Sequence, residues 1–140
     1  MVRVIYHRPF SHFRVNHAAL IAGNLGAELL VYSDPTSKSA LDGIQQVIEH
    51  PEERAGVPVM VTDSLEDALR FAEGRLALID PEERGGLNKL NPSDTLLIVP
   101  VERRDELDVE PDLTVGVNAE VGELAALAIV LHELGVSPDG

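Results

Sequence analysis

The chain of 140 residues has no cysteine and no tryptophan, only two lysines, and five aromatic residues in all. Without cysteine there is neither a disulfide nor a thiolate metal ligand, which suits a cytoplasmic protein. No apolar run approaches the roughly 20 residues that span a bilayer. His7, Arg8 and Pro9 interrupt the apolar start that a secretory signal needs, so membrane contact is not expected. No G-x-G-x-x-G follows the first apolar run and no G-x-x-x-x-G-K-[ST] occurs, which argues against a dinucleotide fold and a P-loop. Nucleophile-elbow glycines and H-E-x-x-H are missing too. His7, His12 and His17 recur every five residues, which spreads them around a helix, so no metal site is expected.

What is present is an ordinary globular composition, 44% hydrophobic and 25% charged, fitting a single domain over residues 1–140. Nine arginines against two lysines in an acidic chain suit a salt-loving or heat-adapted microbe. The formal net charge of −13 is unevenly spread. Residues 1–50 balance four basic against four acidic side chains, whereas residues 51–140 carry seven basic and twenty acidic ones. Residues 1–17 hold three Arg, three His, three aromatics and no acid. Segregated positive charge beside a strand end points to an anionic ligand or a polyanionic partner.

Short apolar runs alternate with helical periods. Strands are expected at Val2–Tyr6, Glu28–Tyr32, Val57–Val61, Leu76–Ile79, Thr95–Val99 and Leu113–Val117, most of them nearly continuous in branched and long aliphatics, as in strands covered on both faces. Helices are expected at Arg14–Leu25, stopped by Gly26; at Ser39–His50, halted before Pro51; and from about Glu120 to Leu134, closed by Gly135 and Pro138. Ser64-Leu65-Glu66-Asp67 has the layout of a capping box before a further helix. The expected class is therefore α/β, with a mostly parallel sheet in a three-layer sandwich. Asp80–Ser93 reads as a long surface connection, and Val101–Asp112 as a loop with at most a turn.

In such sheets ligands sit beyond the C-terminal ends of the strands. That directs attention to the basic loop after Tyr6 and to Val117-Asn118-Ala119-Glu120-Val121-Gly122, which leads into an Ala-rich helix. Amides exposed at such a helix start can hold polar ligand groups, although an ordinary core helix accounts for the segment equally well.

The two ends together resemble one family. His7-Arg8-Pro9, Arg14-Val15, His17-Ala18-Ala19-Leu20 and Gly26-Ala27 are similar to the opening of the archaeal tRNA cytidine 2′-O-methyltransferases of the SPOUT, or trefoil-knot, superfamily. Leu97-Ile98-Val99-Pro100-Val101-Glu102-Arg103 resembles that family's cofactor loop, and Val115-Gly116, Asn118 and Glu123-Leu124-Ala125-Ala126-Leu127-Ala128 resemble its last strand and helix. The resemblance implies a SPOUT-like domain with a C-terminal trefoil knot and a homodimer. The implied activity is methyl transfer from S-adenosylmethionine (AdoMet) to a ribose 2′-hydroxyl of tRNA or another RNA. It also implies catalytic roles for Arg8, Arg14 and His17, with the RNA met by the basic N-terminal loop. The cofactor would be held by Val99, Pro100, Glu102, Val117, Asn118 and Gly122. The chain departs from the family pattern at Asn16, where two Thr are usual, at Pro100 in place of a Gly, at Ala119-Glu120-Val121 in place of Gln-Pro-His, and at Gly122 in place of a Ser. Few cations lie outside residues 1–17 to meet a polyanion. A second expectation stands beside the enzyme: a non-catalytic SPOUT-like module that binds a small molecule or a protein partner.

Overall fold

The computed structural model describes residues 1–54 and 56–135. Six strands, β1 (Arg3–His7), β2 (Leu29–Ser33), β3 (Val59–Thr62), β4 (Leu76–Ile79), β5 (Thr95–Ile98) and β6 (Leu113–Val115), form one sheet in the order β3-β2-β1-β5-β4-β6. Every pairing is parallel. Four α-helices accompany them: α1 (His12–Asn24), α2 (Lys38–Glu49), α3 (Leu65–Leu69) and α4 (Glu123–Leu134). The α/β class and the parallel sheet expected from the alternation are what the chain forms.

Local chemistry sets the helix starts. Ser11, Ser37 and Ser64 each cap a helix by accepting the N–H three residues on, from Arg14, Ala40 and Asp67. The first cap brings α1 in two residues before Arg14. Gly135, at φ +66°, ends α4 in the left-handed conformation that favours glycine.

One face of the sheet presents Val4, Tyr6, Leu30, Tyr32, Leu96 and Ile98 to α1, α2 and α4. The other presents Ile5, Val31, Leu76 and Leu97 to α3 and to Leu107 and Val109. β5 is buried throughout, and β1 is buried after Arg3. The expectation of two covered faces fails at β3, where Val61 is 47% exposed. Val57–Val61 reads as a core strand because it is apolar, but β3 closes the sheet at its edge and has only β2 as a neighbour.

The last strand is also shorter than Leu113–Val117 predicts. After Val115 the backbone leaves the sheet: the N–H groups of Gly116, Val117, Asn118 and Ala119 bond to Gly85 O, Pro81 O, Glu83 O and Pro81 O. These bonds also keep Asn118–Gly122 out of α4, which starts at Glu123 rather than Glu120. The approach is close. A Cβ on Gly116 would lie 2.2 Å from Glu83 O and 2.5 Å from Asp80 O, both main-chain atoms that cannot swing aside.

Asp80–Ser93, expected as a surface connection, holds a short 3-10 turn at Leu87–Lys89 and buries Leu90. Val101–Asp112 is more ordered than the single turn expected, since Val101–Glu106 forms 3-10 turns joined at a kink at Arg103. Gly116→Ala is predicted to destabilise the fold by about 3 kcal/mol or more, through overpacking against main chain; urea unfolding followed by circular dichroism measures it.

Candidate functional site

β1 and β5 are neighbours, while β2–β3 and β4–β6 extend in opposite directions from them. The loops after β1 and β5 therefore lie side by side, where an open parallel sheet forms its crevice. In this protein the crevice is crossed by side chains of the two loops.

Arg14, in the first turn of α1, donates from Nη1 to Glu102 Oε1 (2.9 Å) and from Nη2 to Glu102 Oε2 (2.7 Å). This two-pronged geometry is the strong form of an Arg–carboxylate pair. The hydrogen bond from Arg14 holds the Glu102 carboxyl below its ordinary range, and the same bond raises Arg14. Arg8 donates from Nη1 to Glu106 Oε1 (2.5 Å), and its Nε lies 3.4 Å from Asp34 Oδ2 without hydrogen-bond geometry. Phe10, between them in sequence, has the guanidinium of Arg14 at 4.8 Å and that of Arg103 at 4.9 Å from its ring centre. Arg103 also donates to Thr36 Oγ1 (2.9 Å). The basic loop is thus neutralised by the turn Val101–Glu106. These side chains are between a quarter and a half exposed, so each ion pair is worth about 0.2–1 kcal/mol.

Deeper in the site is a carboxylate that no sequence motif singled out as functional. Glu123, the first residue of α4, is 2% exposed. Its carboxylate accepts from the Tyr6 hydroxyl, from Val101 N–H (3.3 Å) and from Arg14 Nη1 (3.4 Å). One group thereby joins β1, α1, the loop after β5 and α4. Burial first, and then the Glu123 charge, push the Tyr6 phenol far above its ordinary range. The signal in the sequence was an acidic side chain immediately before the apolar run Leu124–Leu131.

Three non-glycine residues have positive φ among those described: Arg8 (+56°), Asp34 (+47°) and Asn118 (+55°). All three follow strand ends. Asp and Asn enter this region readily, whereas Arg does so at a cost of about 1–2 kcal/mol. Arg8 N–H bonds to Ser33 O at 2.7 Å, which helps hold that conformation. His7 beside it is buried, its Nδ1 2.8 Å from Ser33 Oγ, and burial lowers its pKa so that the ring stays neutral.

Besides a cavity of about 510 Å³ that includes Arg8, Asp34 and Glu106 in its lining, two more flank the turn. One, of about 420 Å³, is lined by Pro81 and Glu82, by Val101, Glu102 and Arg104, and by Glu120, Val121 and Gly122. The other, of about 380 Å³, is bounded by Leu78, Ile79, Asp80, Val99, Arg104 and Leu107, with Asp105. Arg104 borders both and bridges their walls, donating to Asp80 Oδ1 (2.5 Å) and Glu82 Oε2 (2.8 Å).

The expected site residues are brought together in part. Glu102 and Gly122 share the first cavity, and Val99 lines the second. Pro100 opens the turn, accepting Arg103 N–H at 2.8 Å, and lines neither. Val117 and Asn118 are engaged through their backbone by Pro81 and Glu83. Arg8 and Arg14 meet the same turn, while His17, three residues after Arg14 on α1, is exposed and takes part in neither ion pair. Among the described residues no group of three or more His, Asp or Glu is arranged to hold a metal ion. No helix is long and apolar enough to cross a membrane among those described.

No protein-family model matches the chain, and no curated protein matches it. Solved structures do. The SpoU methyltransferase AviRb from Streptomyces viridochromogenes in complex with the cofactor AdoMet superposes with a TM-score of 0.63 over 94% of this chain and 58% of that one, at 14% identity. The fold is that of the SpoU methyltransferases. An rRNA methyltransferase from Sinorhizobium meliloti is similar in fold, with a TM-score of 0.62 and 15% identity, over 95% of this chain and 54% of its own. A structure described as giving insights into the 2-OH methylation of C/U34 on tRNA reaches 0.64 and 19%, over 96% and 94%. The chain spans about half the length of the rRNA methyltransferase and nearly all of the last protein. At these identities the likeness is one of SpoU fold.

Tyr6→Phe is predicted to cost about 1.5–3 kcal/mol, because it removes a buried donor from the Glu123 carboxylate. Thermal unfolding measures the loss. In the unsubstituted protein, absorbance at 295 nm is expected to show no ionisation of Tyr6 before the fold itself opens in alkali.

Proposed function

We propose that the chain is an AdoMet-dependent RNA methyltransferase that modifies a ribose 2′-hydroxyl of tRNA or a similar RNA. The observation that carries this is the convergence of the loops after β1, β4 and β5 with the start of α4, in a SpoU fold, on two adjoining cavities and a pair of arginines. The residues suit the donor. Each cavity falls within the roughly 300–1,000 Å³ of small-molecule pockets, and Glu82, Glu102 and Glu120 against Arg104 leave the lining of the first net negative, which favours a sulfonium. A Cβ on Gly122 would meet nothing within 4 Å, so the wall there is open.

AdoMet would supply an electrophilic methyl group. Val99, Glu102 and Gly122 would line its pocket, and Pro100, Val117 and Asn118 would hold the loops that shape it. Arg14 would bind the phosphate or orient the attacking hydroxyl, with Arg8 on an adjacent phosphate, and positioning of this kind is the largest part of such a transfer. His17, on the exposed side of α1, would take the hydroxyl proton only from an RNA lying across that helix.

The protein would act as a homodimer. The exposed Phe13 of α1 and Ile129 of α4, on two helices that pack together, offer an apolar surface for a second copy. The bonds from Gly116–Ala119 to residues 81–85 support a chain that threads the loop of residues 80–112, forming the trefoil knot.

A non-catalytic module on the same fold is the second reading. It is favoured by Pro100, which stiffens the loop where a glycine would allow close approach to the donor, and by the pairing of both arginines with carboxylates. Calorimetry with AdoMet, and transfer of a labelled methyl group to bulk tRNA followed by nuclease mapping, separate the two. The enzyme is expected to bind AdoMet and to leave a ribose resistant to alkaline cleavage, with Arg14→Ala lowering the rate by about 100-fold or more. A folded protein that binds no AdoMet at millimolar concentration is not a methyltransferase of this kind.

A further inference from the structure

The turn Val101–Glu106 fastens to the loop after β1 almost wholly through charge. Glu102 grips both terminal nitrogens of Arg14, and Glu106 grips Arg8, in the way each guanidinium would grip a phosphate. The turn buries no side chain of its own. Glu102 and Glu106 are nearly half exposed, at 49% and 45% of their side-chain surface. Beside Arg14 stands Phe10, whose ring carries the guanidinium groups of Arg14 and of Arg103 from the turn. Paired cations around an aromatic ring are what a single nucleic-acid strand uses, with phosphates on the charges and a base on the ring. Yet the chain carries −13 overall and leaves neither arginine free.

We propose that Glu102 and Glu106 occupy the anion seats of Arg14 and Arg8, and that a phosphodiester strand takes those seats as the two carboxylate side chains swing aside, the turn itself staying held by Arg104 on Asp80 and Glu82. Resting on the RNA-facing assignment of residues 8–17, this names what the strand must displace. The carboxylates are tethered stand-ins that keep the arginines placed while suppressing weak binding to other anions. Exchange of two half-exposed ion pairs for two phosphates costs little and releases the counterions of the strand.

The test is binding of bulk tRNA by fluorescence anisotropy over a series of salt concentrations. Glu102→Gln with Glu106→Gln is expected to bind about fivefold or more tightly than the unsubstituted protein, with the slope of log K against log salt steeper by about 1–2. Adding Arg8→Ala and Arg14→Ala should abolish the gain. Glu52→Gln with Glu133→Gln, the latter exposed near the far end of α4, makes the same change in net charge, from −13 to −11, and should stay within about twofold of the unsubstituted protein. An equal gain from that distant pair, or a gain that survives loss of the arginines, overturns the proposal. Inorganic phosphate at constant ionic strength separates the sources of the anion: competition at low millimolar concentration assigns the seats to a free anion and overturns the strand. AdoMet calorimetry on the same samples is read separately. Loss of donor binding there removes the methyltransferase reading, while the tRNA data still decide who occupies the seats.

Discussion

The arrangement of this crevice depends on one buried carboxylate. Glu123 takes hydrogen bonds from a strand tyrosine, from the backbone of the loop after β5, and from an arginine on the first helix. A buried carboxylate is tolerated only when donors surround it, and each donor here comes from a different element. The position of Arg14, the start of the turn at Val101 and the entry angle of α4 are therefore mutually dependent. The second constraint is steric. Gly116 lets the chain pass so close to Asp80 and Glu83 that no larger residue fits, which seats residues 116–119 against the loop after β4. Together they place the loops after β4 and β5 and the start of α4 around the two cavities.

Electrostatics then decides what the crevice presents. A count of charges makes residues 1–17 a cationic tract in an acidic protein. Folding brings the acids of the turn Val101–Glu106 onto those cations, so the surface is one of paired, half-exposed charges rather than a bare positive patch. Such pairs contribute little stability. Their effect is on selectivity, because an incoming anion must compete with a partner already in place.

Much of the architecture was legible from local pattern. Serines at 11, 37 and 64 cap helices by side-chain chemistry that acts over three residues, and Gly135 ends a helix through its own φ. Continuous aliphatic runs at Ile5, Leu30 and Leu96–Ile98 gave buried parallel strands. Pattern failed where the outcome belonged to neighbours. Val61 is as apolar as a core residue but lies on an edge. Val117 reads as strand, yet its N–H leaves the ladder for Pro81 O. The polar composition of Val101–Glu106 concealed its turns, since these are held by partners about ninety residues earlier in the chain. Of the expected site residues, Arg8, Arg14, Val99, Glu102 and Gly122 converge on the crevice, and His17 is exposed on α1 outside the ion pairs.

The sequence by itself determined the alternation of strand and helix, the parallel class, and the presence of cations after the first strand. Each follows from residue periodicity, capping and composition, which act within a few residues along the chain. The order of the strands, the burial of Glu123, the close pass at Gly116 and the pairing of Arg8 and Arg14 with Glu106 and Glu102 were decided only by the tertiary structure. Those are contacts between residues about twenty to more than a hundred positions apart, and a linear pattern carries no information about which distant group will neutralise a charge or fill a crevice.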